Sequence, residues 1–137
     1  MNDDIIFTET DRLILRRFKK SDLNDLYEYV SDPDTVKYEP YPPMSMNEAA
    51  ASLDIMMDSD EMIAAELKSE HKLIGSLYLG KREFETAELG YLFNKAYRLN
   101  GYARECCAAL IILLIIGIFS FQVGCKGTDT FLLQFCF

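Results

Sequence analysis

The sequence is short of positive charge: 14 Lys and Arg stand against 22 Asp and Glu, for a net charge of −8. A nucleic-acid partner needs a basic surface to neutralise phosphates, so this composition argues against that class of function. An acidic surface suits a cationic substrate such as an amine, and it is equally a general route to solubility. Histidine is nearly absent, and the one present, His71, sits in a polar stretch that predicts a solvated turn.

We expect neither a secretory leader nor a metal site. The first four residues, MNDD, are acidic where a signal peptide is basic. We therefore expect a cytoplasmic protein, in which disulfides rarely persist. No CxxC pair and no His near a Cys supports a metal site. The four cysteines are expected to be buried or incidental thiols: Cys106, Cys107, Cys125 and Cys136.

Charge is scarce at the C-terminal end, where Lys126 and Asp129 are the only charged side chains in the last 32 residues. A chain of 137 residues has the size of one domain. We predict a single domain over 1–137, with 117–137 as a divergent tail.

The first half has clear start and stop signals for a strand and two helices. Residues 12–18 predict a strand, with Leu13 and Leu15 on one face and charged side chains on the other. Ser21 is predicted to cap a helix that ends before Pro33. Ser45 and Glu48 form a capping box for a second helix that runs to about residue 57.

Three strand-like runs follow, at residues 62–67, 73–79 and 87–93, joined by short connections. Such connections join antiparallel neighbours, so the runs predict a meander. A loop over 94–100 then leads to a helix that begins near Gly101. The order of elements is typical of an α+β fold.

The loop between strand and helix at residues 98–103, RLNGYA, is the strongest candidate for a binding site. A helix N-terminus presents unpaired N–H groups and the positive end of the helix dipole. Gly101 allows close backbone approach, and Arg98 adds a forked donor, so a pyrophosphate fits this loop. Asn100 followed by Gly101 is also typical of a hairpin turn, so the loop alone leaves both interpretations open.

Five stretches in order resemble the RimJ/RimL-like branch of the GNAT N-acetyltransferases. They are TDRLILR at 10–16, SDPD at 31–34, KLIGS at 72–76, AELGY at 87–91 and RLNGYA at 98–103. The resemblance covers about residues 8–116. It implies a GNAT-like acyl-CoA N-acyltransferase fold, with a mixed, mainly antiparallel sheet flanked by helices.

The resemblance also implies acetyl-CoA as co-substrate, with no metal. The pantetheine arm would pair with backbone near Leu92 and Phe93. The pyrophosphate would meet the loop formed by Arg98, Leu99, Asn100, Gly101, Tyr102 and Ala103. The acceptor would be a primary amine, either a protein N-terminal α-amine or a small molecule.

An amine that is protonated at pH 7 must lose a proton before it attacks a thioester. Glu88 is our candidate for that base, and the alternative is a structural role in its strand. Tyr38 and Tyr41 are candidates for lining the acceptor pocket, and the alternative is aromatic packing under a proline-rich loop.

The family pattern stops after about residue 116, so the closing strands of the fold are expected to be missing or replaced. Three explanations stay open: a shifted or truncated reading frame, a membrane anchor in the uncharged residues 106–125, or a short variant completed by a homodimer partner. Each of the first two predicts an exposed edge on the 87–93 strand. The alternative function is an inactive remnant that binds CoA weakly or acts as a dimerising or membrane-associated module.

Overall fold

Helices cover both faces of one antiparallel sheet in the computed structural model, which describes residues 5–82, 86–117, 120–125 and 130–136. The strands are β1 (Ile6–Glu9), β2 (Leu13–Arg16), β3 (Met62–Leu67), β4 (Lys72–Arg82), β5 (Thr86–Phe93), β6 (Ser120–Cys125) and β7 (Thr130–Cys136). The helices are α1 (Leu23–Val30), α2 (Met46–Asp58) and α3 (Tyr102–Gly117), with 3-10 turns at Lys20–Asp22 and Lys95–Tyr97.

The sheet order is β1-β2-β3-β4-β5-β7-β6, and every described pairing is antiparallel. The predicted α+β fold with a mainly antiparallel sheet is confirmed. The predicted meander is β3-β4-β5. Strand β1, which no sequence pattern predicted, pairs with β2.

Side-chain alternation along the strands sorts the core onto the two faces. In β3, Ile63 and Ala65 pack with the cluster that contains Cys106 and Leu110 of α3. Ala64 points the other way and packs with residues of α1 and α2. This period of two is what strand geometry requires, and it makes three layers, with the sheet between α1/α2 and α3.

The first helix begins differently from the prediction. Ser21 is exposed, and the residue that precedes α1 as its N-cap is Asp22. The Asp22 carboxylate is buried and accepts bonds of 2.8 and 2.9 Å from the guanidinium of Arg16, plus one of 2.9 Å from the Lys19 N–H. This buried pair fixes the turn, which is why a Ser cap does not form at 21. The capping box of Ser45 and Glu48 is confirmed, with both bonds present.

The predicted exposed edge of β5 is wrong for the first five residues of that strand. Thr86 to Gly90 pair with β7, from Thr86↔Gln134 to Gly90↔Thr130. The closing strands were expected to be missing or replaced, yet β6 and β7 form an antiparallel pair, and β7 lies beside β5. Lys126 and Asp129 lie outside the described residues.

Residues 106–125, for which a membrane anchor was one interpretation, do not form one continuous helix. Helix α3 ends at Gly117 and β6 occupies Ser120–Cys125. Within the described residues, no helix combines the length and the apolarity needed to cross a membrane. Cys106 and Cys107 are free and buried in α3, as predicted. The side chains of the other two cysteines lie outside the described set.

Candidate functional site

A cleft of about 510 Å³ opens where β5 ends and α3 begins. We call it the Arg98 cleft. Its wall includes Leu92, Phe93, Arg98, Leu99, Gly101, Tyr102 and Ala103, which are seven of the eight residues predicted to meet acetyl-CoA. The eighth, Asn100, is turned back into its own loop, where its side-chain nitrogen donates to the carbonyls of Tyr97 at 3.1 Å and Arg98 at 3.2 Å.

The loop that enters α3 has an unusual backbone. Gly101 has a φ of +80° and Leu99 a φ of +65°. Glycine adopts such angles freely, whereas leucine does so at a cost of about 1–2 kcal/mol. The Leu99 side chain is also fully exposed. The first helical bond runs from the Glu105 N–H to the Gly101 carbonyl at 3.0 Å. The N–H groups of Tyr102 to Arg104 precede it and therefore have no acceptor within the helix.

The end of β5 presents backbone groups on the side away from β4. The Asn94 N–H donates to the Ile74 carbonyl of β4 at 2.8 Å. Adjacent residues of a strand point their backbone groups to opposite sides, so those of Phe93 face away from β4. The described pairing with β7 stops at Gly90↔Thr130. Of the two residues predicted to pair with the pantetheine arm, Phe93 has this outward orientation, whereas the backbone of Leu92 faces β4.

Charge in the Arg98 cleft is mixed. Arg98 is exposed and donates to the buried Thr35 carbonyl at 3.4 Å, which uses one of its five N–H donors. Arg104 adds a second cation to the wall. Two acidic residues, Asp34 and Glu39, also line the cleft, and Asp34 forms an exposed ion pair with Lys95 at 3.2 Å. Thr35 and Arg104 had no signal in the sequence because only the fold brings them beside Arg98.

A second cleft, of about 500 Å³, lies between the α1/α2 layer and strands β3 to β5. We call it the Glu88 cleft. Its polar wall includes Glu88, Glu39 and Tyr41, and its apolar wall includes Met44, Met56 and Met62. Burial, together with the charge of Glu39, raises the pKa of Tyr41 to about 12. The Tyr41 phenol is therefore neutral at pH 7.

The two clefts share part of their walls: Glu39, Tyr91 and Leu92 line both. The structure separates the two tyrosines predicted for the acceptor pocket. Tyr41 lies with Glu88, whereas Tyr38 is 73% exposed and lines the Arg98 cleft. Sequence reasoning missed Glu39, which lies in the aromatic, proline-rich loop and had no pattern to mark it.

The profile of the acetyltransferase (GNAT) domain family matches residues 12–115. The chain belongs to the GNAT acetyltransferase family.

Relatives of known sequence or structure agree with this assignment. The uncharacterized N-acetyltransferase YnaD of Bacillus subtilis (strain 168) is 35% identical over 104 residues, and this chain covers 61% of its length. The match takes up 74% of this chain. A GNAT-family acetyltransferase from Bacillus anthracis has a TM-score of 0.71 at 22% identity, covering 91% of this chain and 95% of that one. The ribosomal-protein-S5-alanine acetyltransferase from Vibrio fischeri has a TM-score of 0.55 at 15% identity, with coverages of 95% and 94%. At such identities the two structures show the fold alone.

GNAT acetyltransferases use acetyl-CoA as co-substrate, and the Arg98 cleft fits it in two respects. An extended arm with amide groups can add to a strand edge, and Phe93 supplies outward-facing backbone groups there. A pyrophosphate suits a helix N-terminus, and the first turn of α3 lines the same cleft. Among the described side chains, no group of three or more His, Cys, Asp or Glu lies close enough to hold a metal ion.

Proposed function

We propose that this GNAT domain transfers the acetyl group of acetyl-CoA to a primary amine, with the Arg98 cleft as donor site and the Glu88 cleft as acceptor site. The observation that carries the proposal is their shared wall of Glu39, Tyr91 and Leu92. Direct transfer needs the amine and the thioester to meet, and two clefts with a common wall allow that.

The donor is held by groups of this chain that are already oriented. The N–H groups at the start of α3 and the guanidinium of Arg98 bind the pyrophosphate. The backbone of Phe93 pairs with the pantetheine arm, while the side chain of Leu92 contacts it at the common wall. Bound acetyl-CoA supplies an acyl group activated as a thioester.

On the acceptor side, Glu88 removes the proton from the ammonium, directly or through a water molecule. The nitrogen lone pair then forms the new C–N bond as the C–S bond breaks. The acylated nitrogen loses its second proton, and this proton passes, directly or through water, to the leaving thiolate, which gives the amide and the free thiol of CoA. The neutral hydroxyl of Tyr41 lies in the same cleft and can hydrogen-bond the acceptor. Tyr38 lies at the donor cleft, so we assign it a donor contact instead.

The charges of the Glu88 cleft favour a cationic acceptor. Two carboxylates, Glu39 and Glu88, line it, and none of the side chains described around it is basic. The methionines contribute an adaptable apolar surface for the body of the substrate. An amine without a neighbouring carboxylate is therefore preferred over a free amino acid.

A RimJ/RimL-like role supplies one acceptor of this kind. The Vibrio fischeri neighbour is named for acetylation of an alanine of ribosomal protein S5. A protein N-terminal α-amine carries a positive charge and no adjacent carboxylate. Comparing an alanine-initiated peptide with a diamine separates a protein acceptor from a small-molecule acceptor.

Calorimetric titration with acetyl-CoA tests the proposal. We expect saturable binding by the native chain and about tenfold weaker binding by Arg98→Ala, as for loss of one charge-assisted hydrogen bond. Lys20→Ala is the matched control, because it removes an exposed cation outside both clefts. If the native chain does not bind acetyl-CoA at millimolar concentration, the proposed activity is wrong and the chain is an inactive remnant of the family.

A further inference from the structure

The first turn of α3 is tied to the loop between β1 and β2 by one carboxylate. Glu105 accepts hydrogen bonds from the Thr10 hydroxyl, from the Arg12 N–H at 3.1 Å and from the Arg12 Nε at 2.8 Å. An ion pair of 2.8 Å joins the Arg12 Nη2 to the same carboxylate. The Arg12 guanidinium also lies 4.4 Å from the centroid of the Tyr102 ring. We call this cluster of Thr10, Arg12 and Glu105 the latch.

The latch lies behind the donor loop and outside both clefts, since none of its three residues lines either one. A Cβ placed on Gly101 would come within 3.6 Å of the Arg12 Nη2, so Arg12 flanks the glycine of the loop. Thr10 is itself held, because its hydroxyl oxygen accepts the Leu13 N–H at 3.0 Å. The latch therefore connects α3 to a hydrogen-bonded turn of the sheet.

The loop in front of the latch needs such support. Leu99 and Gly101 both have positive φ angles, and a strained conformation persists only where surrounding contacts determine it. The N–H groups of the first turn bind an anion well only if they are already aligned. Burial raises the pKa of Glu105, but the bonds from Thr10 and Arg12 outweigh it and hold that pKa below its usual value. The carboxylate is therefore charged and able to hold both partners at neutral pH.

We propose that Thr10, Arg12 and Glu105 are positioning residues that align the N-terminus of α3 for the pyrophosphate of the donor. This role rests on the proposed function. Glu105 places a negative charge one turn from the anion, which by electrostatics alone opposes donor binding. A positioning role and a purely electrostatic role thus predict opposite effects when the charge is removed.

Two variants test the latch by acetyl-CoA titration. We expect Thr10→Val to weaken acetyl-CoA binding about fivefold, the factor that corresponds to one lost hydrogen bond, and Glu105→Ala to weaken it at least as much. Thr10→Val changes no charge, so it keeps the test valid if Glu105→Ala folds poorly. Turnover at saturating acetyl-CoA should match the native chain. The KM for acetyl-pantetheine, which lacks the pyrophosphate, should also be unchanged.

Tighter binding by Glu105→Ala, with no effect of Thr10→Val, would overturn the latch in favour of simple charge repulsion. Equal losses with acetyl-CoA and acetyl-pantetheine would overturn it in favour of a general loss of structure. If the native chain binds acetyl-CoA and both variants bind it equally well, only the latch fails. If the native chain does not bind acetyl-CoA, the proposed function fails and the latch's role fails with it.

Discussion

The two clefts are built in different ways although they share a wall. The Arg98 cleft draws most of its residues from the single stretch 91–104, where one strand ends and one helix begins. The Glu88 cleft gathers side chains from α1, α2, the loop between them and strands β3 to β5. The proposed donor site is thus encoded mostly in one local stretch, whereas the proposed acceptor site forms only when distant segments pack together.

The clefts also differ in electrostatics. Arg98, Arg104 and the N-terminus of α3 make one suitable for an anion. Glu88, with Glu39 on the wall that the two clefts share, makes the other suitable for a cation. This polarity matches the proposed phosphate-bearing donor and ammonium acceptor.

The largest expected effect comes from the acceptor side. Glu88→Gln should lower kcat about 100-fold, the lower end of what a general base contributes. The Kd for acetyl-CoA should stay at its native value, because Glu88 does not line the Arg98 cleft. Steady-state kinetics and donor titration measure the two quantities separately.

Asp54→Asn is the control for Glu88→Gln, since Asp54 is exposed on α2 and lines neither cleft. If Glu88→Gln keeps full kcat, Glu88 is not the base and has the alternative, structural role in its strand. A rise in the Kd for acetyl-CoA instead would show that the two sites are not separable.

An intermediate effect is expected from Gly75 on β4. A Cβ there would lie 2.5 Å from the Cδ1 of the Phe93 ring, closer than real contacts allow. Gly75→Ala should therefore displace Phe93 and lower the free energy of unfolding by about 1–3 kcal/mol, measured by denaturant titration. Acetyl-CoA should also bind more weakly, while the KM for the amine changes little.

A second substitution checks the cause. In Gly75→Ala combined with Phe93→Leu, the smaller side chain gives the new methyl group room. The combined loss of stability should be smaller than the sum of the single losses by about 1 kcal/mol or more. Additive losses would mean that the contact with the ring is not what makes glycine necessary at 75.

The smallest effect tests the shared wall. Glu39→Gln should raise the KM for the amine about fivefold, as for loss of one charged partner. It should leave the Kd for acetyl-CoA unchanged or lower it, because a negative charge beside an anionic donor is removed. Asp54→Asn again serves as control. Weaker donor binding with an unchanged amine KM would assign Glu39 to the Arg98 cleft alone.

Elements with strong local signals were predictable. Ser45 and Glu48 cap α2 because both partners of the capping box are three residues apart in the chain. Helix α3 begins at Tyr102, where Gly101 indicated a start. The prediction that Ser21 caps the first helix was wrong, because the buried ion pair of Arg16 and Asp22 determines that turn.

Strand pairing between distant parts of the chain was not predictable. Strand β7 lies beside β5, although more than thirty residues separate their partner residues Gly90 and Thr130. The run 131–137 is mostly apolar and shows no clean alternation that marks a strand half exposed to water. Residues 130–134 pair with the edge of β5, and no local sequence pattern reveals such a long-range pairing.

The sequence by itself indicated the α+β order of elements, the change from strand to helix at residues 98–103 and, through five stretches in order, the family. Local hydrogen bonds, helix caps and the φ of Gly101 depend on a few neighbouring residues, so the sequence predicts them. The tertiary structure alone decided that Tyr38 and Tyr41 face different clefts, that Glu39 lies between them, and that Glu105 reaches Thr10. Those outcomes depend on packing between distant elements, which no short-range pattern specifies.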